Sequence, residues 1–351
     1  METRIGQIKG IKAAGGLLAE AGRIIRSGGL VAFPTETVYG LGANGLDGEA
    51  CAGIYKAKGR PSDNPLILHF ADREMVDLAA RELSPLDEKL IAAFCPGPLT
   101  LIVRKKDCVP DRVTGGLPTV GVRIPDNDVA RAFIREAGVP VAAPSANISG
   151  RPSPTTAAAV LHDMAGRIPL ILDGGPCEFG VESTIVETNG NMATILRPGA
   201  ITAEMLGELA ERVELDPALT GGSVRPKAPG MKYTHYAPRV PLTLVAGKEA
   251  DIAGRFRREL AGRAAAGRRT GIIVFEETAA GLNGLVPPEL TVCLGKRGDL
   301  KTAAARLYEA LRYFDNQEAD SLLAEATAEE GLGLAIMNRL RKAAGGRIIG
   351  F

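Results

Sequence analysis

Cations and small hydroxyl side chains gather at the exits of apolar runs in residues 1–208. At 33–45, FPTETVYGLGANG, the residues Thr35, Glu36 and Thr37 follow a strand that ends at Phe33. A hydroxyl such as that of Thr35 suits a polar small molecule, and the same run also reads as a polar turn. At 55–70, YKAKGRPSDNPLILHF, Lys56, Lys58 and Arg60 crowd a helix end and its exit loop. One or two cations there serve as partners of the helix dipole. Three, before a proline-bracketed polar loop, point to an anion such as phosphate. His69 sits in apolar LILHF, as packed core histidines do, but close to the strand end.

Arg123 interrupts an apolar strand in TVGVRIPDN. A buried guanidinium must be paired or meet a ligand anion, and both readings stand. PVAAPSANISGRPSPT at 140–155 carries Ser145, Asn147 and Ser149, which either open backbone N–H groups to phosphate or simply make a turn. LDGGPCEFGVESTIVE at 172–187 and ILRPGA at 195–200 add glycines that admit close backbone approach, with Ser183 at one strand start and Arg197 at another strand end. Each cluster is weak alone. Gathered at strand exits, where open α/β sheets bind ligands, they argue together for one site.

Other chemistries find less support. There is no GxSxG elbow and no GxxxxGK[ST] loop. Gly40, Gly42 and Gly45 fit GxGxxG, but PTETVY separates them from the strand, so a dinucleotide turn is a poor reading. His69, His162 and His235 are the only histidines and form no metal-binding spacing; His162 reads as a helix-surface residue. The five cysteines are scattered without a CxxC pair, which favours reduced thiols and a cytoplasmic setting over zinc or disulfides. With 42 basic and 41 acidic residues the net charge is +1, against a protein that coats nucleic acid. No signal-peptide core and no run of about 20 apolar residues is expected to send the chain to a membrane.

Length alone, 351 residues, predicts two domains. The pattern predicts an α/β chain with a mixed sheet in residues 1–213. Strands are expected over 29–33, 65–70, 99–104, 120–124, 140–143, 169–173, 183–187 and 193–197. Helices are expected over 16–27, 49–58, 87–94, 128–137, 155–164 and 203–213. Residues 214–240 lack a period and hold many Pro and Gly, as a linker does. Residues 241–351 alternate again as a smaller Rossmann-like α/β domain. Its strands are expected over 242–245, 271–275, 290–294 and 321–325, with helices over 249–266, 300–314 and 334–344.

Taken in order, PTETVYGLG, KGRPSDNPLILH, PGPLTLIV, VGVRIPDN, APSANISGRPSPT, DGG…GVESTIVE and LRPGAI resemble the YrdC/Sua5 family of threonylcarbamoyl-AMP synthases across residues 20–205. APGMKYTHYAP at 228–238 is similar to the signature of the longer Sua5 branch, with Ala228 where serine is common. The resemblance implies a YrdC-like catalytic domain, a linker acting as a lid and a Sua5-type C-terminal domain. It implies that L-threonine, bicarbonate and ATP give threonylcarbamoyl-AMP, pyrophosphate and water. That product would feed a threonylcarbamoyl-transferase complex acting at position 37 of tRNAs that read ANN codons, with at most weak RNA contact by this chain. By motif, threonine falls to Thr35, His69, Thr119, Arg123 and Ser183. ATP falls to Lys58, Arg60, Ser62, Ser145, Asn147 and Arg197, with Tyr233 and His235 closing over it. Lys56, Lys58 and Arg60 would neutralise charge as an anionic carbamate attacks the α-phosphate. Mg²⁺ is expected on the ATP phosphates, with no protein metal site and no covalent nucleophile. Two rivals are weighed. A carbamoyl-adenylate-forming enzyme would carry zinc-finger cysteines that this chain lacks. A double-stranded RNA-binding module sits poorly with near-zero net charge and 4% aromatics.

Overall fold

Apolar runs at period two become strands, and runs at period 3.6 become the helices that cover them. A computed structural model describes residues 1–220, 235–282 and 284–350. They fall into two units. The first holds residues 1–149 and, from 153 on, the described residues through 220; the second holds 150–152 and the described residues from 235 on.

The first unit is built on strands β1 (Arg4–Gln7), β2 (Val31–Phe33), β3 (Gly40–Asn44), β4 (Ile67–His69), β5 (Leu99–Arg104), β6 (Thr119–Arg123), β7 (Val141–Ala142), β8 (Leu170–Asp173), β9 (Thr184–Asn189), β10 (Met192–Arg197) and β11 (Arg212–Leu215). They form one mixed sheet in the order β1-β8-β2-β3-β7-β4-β6-β5-β9-β10-β11. Both of its faces are covered. The helices Gly15–Arg26 and Asp128–Ala137 share one apolar cluster with Val31, Phe33 and Leu172. The helix Gly48–Lys58 buries Cys51 and Ile54 in another, with Leu41 and Leu68. The helix Asp128–Ala137 follows its predicted bounds. Asn127 caps it by accepting from Ala130 N, and Val129, Phe133 and Ile134 are buried, worth roughly 1.5–3 kcal/mol each.

Some expectations are corrected. Gly40–Asn44, to which the pattern gave no element, is a strand paired antiparallel to both β2 and β7. Its glycines serve packing: a Cβ on Gly40 would lie 3.0 Å from the Phe33 ring, and one on Gly42 would lie 2.8 Å from Val141. The helix expected over 203–213 spans only Ala203–Gly207, and Arg212–Leu215 continues as a strand parallel to β10. The expected linker therefore begins ordered, with this strand and a 3₁₀ turn at Pro217–Thr220.

In the second unit β12 (Leu242–Val245), β13 (Thr270–Val274), β14 (Thr291–Cys293), β15 (Ser321–Glu325) and β16 (Ile348–Ile349) pair in parallel in the order β14-β13-β15-β12-β16. The helices Glu249–Ala265, Leu300–Tyr313 and Leu332–Ala344 intervene, a Rossmann-like βα alternation. At the carboxyl ends of β12 and β15, Arg297 bridges Glu249 and the buried Glu325 beside a cavity of about 400 Å³.

Candidate active site

Parallel pairing sets His69 beside Arg123 at the ends of β4 and β6. Both are buried. Arg123 Nη2 donates to Thr37 Oγ1 at 2.8 Å and stands 2.9 Å from Glu36 Oε2. His69 is held neutral: burial drives its pKa down to about 3, and the neighbouring Arg123 and then Arg197 add to the effect. Its Nδ1 lies 3.3 Å from the Ile67 carbonyl, which can only accept. The Val141 carbonyl also accepts from the ring.

The next strands extend the cluster. Arg197, at the end of β10, donates from Nε to Ser183 O at 3.0 Å and from Nη2 to Ser183 Oγ at 3.1 Å. Ser183 Oγ also shares a 2.7 Å bond with Thr100 Oγ1 on β5. Gly199 makes this possible by close approach, since a Cβ there would lie 2.8 Å from Glu182 O.

Lys58 forms a second focus. It occupies the last turn of the helix Gly48–Lys58, which Asp47 caps at the start and left-handed Gly59 (φ 61°) ends. Its buried Nζ donates to the carbonyls of Ser145 and Asn147, and Ser145 Oγ donates to Asn147 Oδ1. The two foci belong to one knot of loops. Gly40 bridges Ser145, Ala146 N donates to Tyr39 O, and Glu178 N and Phe179 N both donate to Glu36 O. Ser153 Oγ donates to the buried Glu182 Oε1 at 2.6 Å.

The structure thus joins His69, Arg123, Ser183 and Arg197 in one cluster, and Lys58, Ser145 and Asn147 in the adjoining one. Thr35 is at the site, but its hydroxyl closes the turn: it donates to Val38 O at 2.6 Å and accepts from Thr37 N and Val38 N. Thr119 is not brought in. It opens β6, opposite Arg104, four residues from Arg123 and so about 13 Å away along a strand. Lys56 is exposed, and residues two apart on a helix do not share a face with one another, so it does not accompany Lys58. Ser62 is exposed on the following loop. Arg60 ties that loop down, donating to the carbonyls of Asn64 (3.3 Å) and Pro65 (3.0 Å). Tyr233 lies outside the described residues. His235 belongs to the second unit, its ring 5.5 Å from that of Tyr236. Sequence reasoning gave no role to Thr100, Glu182 or Glu36; the signal for Thr100 was a lone hydroxyl inside LTLIV.

Among the described residues no group of three or more His, Cys, Asp or Glu is placed to hold a metal ion, and no helix is long and apolar enough to cross a membrane.

Comparison with known proteins assigns this architecture to one class of enzymes, the YrdC-like nucleotidyltransferases. A family model described as "Telomere recombination" matches residues 23–199, and one described as "Threonylcarbamoyl-AMP synthase, C-terminal domain" matches residues 201–345. The threonylcarbamoyl-AMP synthase of Bacillus subtilis is 48% identical over 95% of this chain and 94% of its own. That of Pyrococcus abyssi is 44% identical over 94% of each. The crystal structure of P. abyssi Sua5 complexed with L-threonine matches with a TM-score of 0.92 at 43% identity, covering 99% of both chains. The chain belongs to the Sua5 family of threonylcarbamoyl-AMP synthases.

Proposed function

We propose that this chain condenses L-threonine, bicarbonate and ATP into threonylcarbamoyl-AMP, releasing pyrophosphate and water. The observation that carries the reading is the buried set His69, Arg123, Ser183 and Arg197, drawn from three strand ends and the residue before a fourth strand, in a chain that matches a threonine-bound Sua5 along its length. Threonine offers a carboxylate, an ammonium and a hydroxyl. Arg123 suits the carboxylate. His69, held neutral, suits the hydroxyl, and Ser183 is oriented by Arg197 and Thr100 to join it. Lys58 holds the 145–147 turn through its carbonyls, which shapes the backbone meant for the ATP phosphates and brings a buried cation to them.

Two anions must meet when the carbamate oxygen attacks the α-phosphate. Lys58 and Arg197 would lower that repulsion in a site with little water. Holding both reactants in line supplies much of the remaining rate. Mg²⁺ would enter as the counter-ion of the ATP substrate. The product would pass to a threonylcarbamoyl-transferase complex that modifies position 37 of tRNAs reading ANN codons, in the cytoplasm.

Pyrophosphate release from ATP tests the reading. Release is expected only with both threonine and bicarbonate present, and release that ignores either one refutes it.

A further inference from the structure

We propose that Glu36 binds the α-ammonium group of the amino acid substrate and takes up the proton that leaves it when the carbamate forms. The proposal rests on the functional reading above.

Glu36 is 4% exposed, and its backbone is pinned by the amides of Glu178 and Phe179. Its Oε2 lies 2.9 Å from Arg123 Nη2, close enough for an ion pair. Yet among the described residues neither carboxylate oxygen has an aligned hydrogen-bond donor, and Arg123 Nε has no acceptor. Arg123 Nη2 spends its aligned bond on Thr37 instead. Arginine and carboxylate normally meet as a two-pronged fork, and buried polar atoms are seldom left unsatisfied. Here proximity comes without alignment, which leaves a buried donor and two buried acceptors side by side. That arrangement complements a zwitterion. The α-carboxylate of an amino acid can accept from Arg123 Nε while its α-ammonium donates to Glu36.

The chemistry requires such an acceptor. R–NH₃⁺ and HCO₃⁻ give R–NH–COO⁻, H₂O and one H⁺: a C–N bond forms, a C–O bond breaks, and one proton must be taken away. The carbamate oxygen then bonds to the α-phosphorus of ATP and pyrophosphate leaves. Other groups at the site are poor receivers. His69 is held neutral by burial and its cationic neighbours. The Cys95 thiol nearby is pushed up to about 12, first by burial. Glu182 Oε1 is already engaged by Ser153.

Glu36→Gln in the full chain keeps the shape and removes both functions. Threonine-dependent pyrophosphate release is expected to fall by about 100-fold or more, the usual scale for losing a general base, with ATP affinity unchanged. Calorimetry with two probes separates recognition from folding: L-threonine, and 2,3-dihydroxybutanoate, which carries hydroxyl in place of ammonium. The wild type should prefer threonine by at least about tenfold, the worth of one charged hydrogen bond. E36Q should lose that preference while binding the dihydroxy acid as the wild type does. Equal affinity of the wild type for both probes overturns the proposal whether or not E36Q folds, and so does an E36Q enzyme with the wild-type rate. A wild type that releases no threonine-dependent pyrophosphate refutes the functional reading instead, and the binding comparison still judges Glu36.

Discussion

Replacing Gly199 with alanine tests whether the contact between the 197–200 turn and the start of β9 builds the site. A Cβ at position 199 would overlap Thr184 N and lie 2.7 Å from Thr184 Oγ1 and 2.8 Å from Glu182 O. Two of these three atoms are backbone, so no side-chain rotation relieves the clash. The segment cannot yield easily. Thr184 N is bonded to Pro98 O, Thr184 pairs with Leu99, and Thr184 Oγ1 donates to Ile201 O at 2.7 Å and accepts from Ile201 N at 3.0 Å. Overpacking of this kind costs about 1–3 kcal/mol. In a unit of this size each kcal/mol lowers the midpoint by about 2–4 °C, so a fall of about 2–12 °C is expected in a thermal melt. Ser183 lies between the two displaced residues and holds Arg197 through two bonds. A shift approaching 1 Å there should cut kcat/KM for threonine by up to about 100-fold. Gly207→Ala is the control: a Cβ at 207 meets nothing within 4 Å, and no loss of stability is expected. Pyrophosphate release and circular dichroism read both quantities. A G199A protein melting within about 1 °C of the wild type, with the wild-type kcat/KM, would refute the reasoning.

His69 should make the fold acid-sensitive. Its folded pKa of about 3 lies below the ordinary 6.5, so the unfolded chain binds the extra proton; stability is complete above pH 6.5 and falls as pH drops toward 3. At pH 5.5 the loss from this group is about 1.4 kcal/mol, and urea titrations should show that increment vanish in His69→Asn. Alkylation at pH 8 should mark exposed Cys108 well before Cys51 and Cys95, whose thiols burial pushes up to about 12; equal labelling in the native protein would contradict that burial. Thr119→Ala should leave KM for threonine within about twofold, because the residue sits one strand length from Arg123, roughly 13 Å away; a tenfold rise would restore it to the site.

What the chain discloses in advance depends on how local the cause is. The helix Asp128–Ala137 was legible because Val129, Phe133 and Ile134 repeat at helical spacing behind the Asn127 cap. Lys58 and Arg197 could be singled out as candidates because a cation at an element's end is visible in one dimension. Gly40–Asn44 was not, because its glycines mimic a loop and their cause, the Phe33 ring and Val141, is tertiary. Thr119 carries a different lesson. It stands directly before the expected strand 120–124, and strand geometry alone sets it roughly 13 Å from Arg123, so assigning both to one small ligand ignores a distance available from the sequence. The pairing that defines the centre, Arg123 with Glu36 and Thr37, joins segments that no local pattern connects. Arg123 alone allowed either an ion pair or a ligand anion. The structure supplies both conditions at once: a carboxylate within ion-pair range, and a guanidinium Nε–H without an acceptor among the described residues. A pair optimised only for stability would have closed that fork, so the unspent donor is the physical ground on which a binding role for Arg123 is proposed.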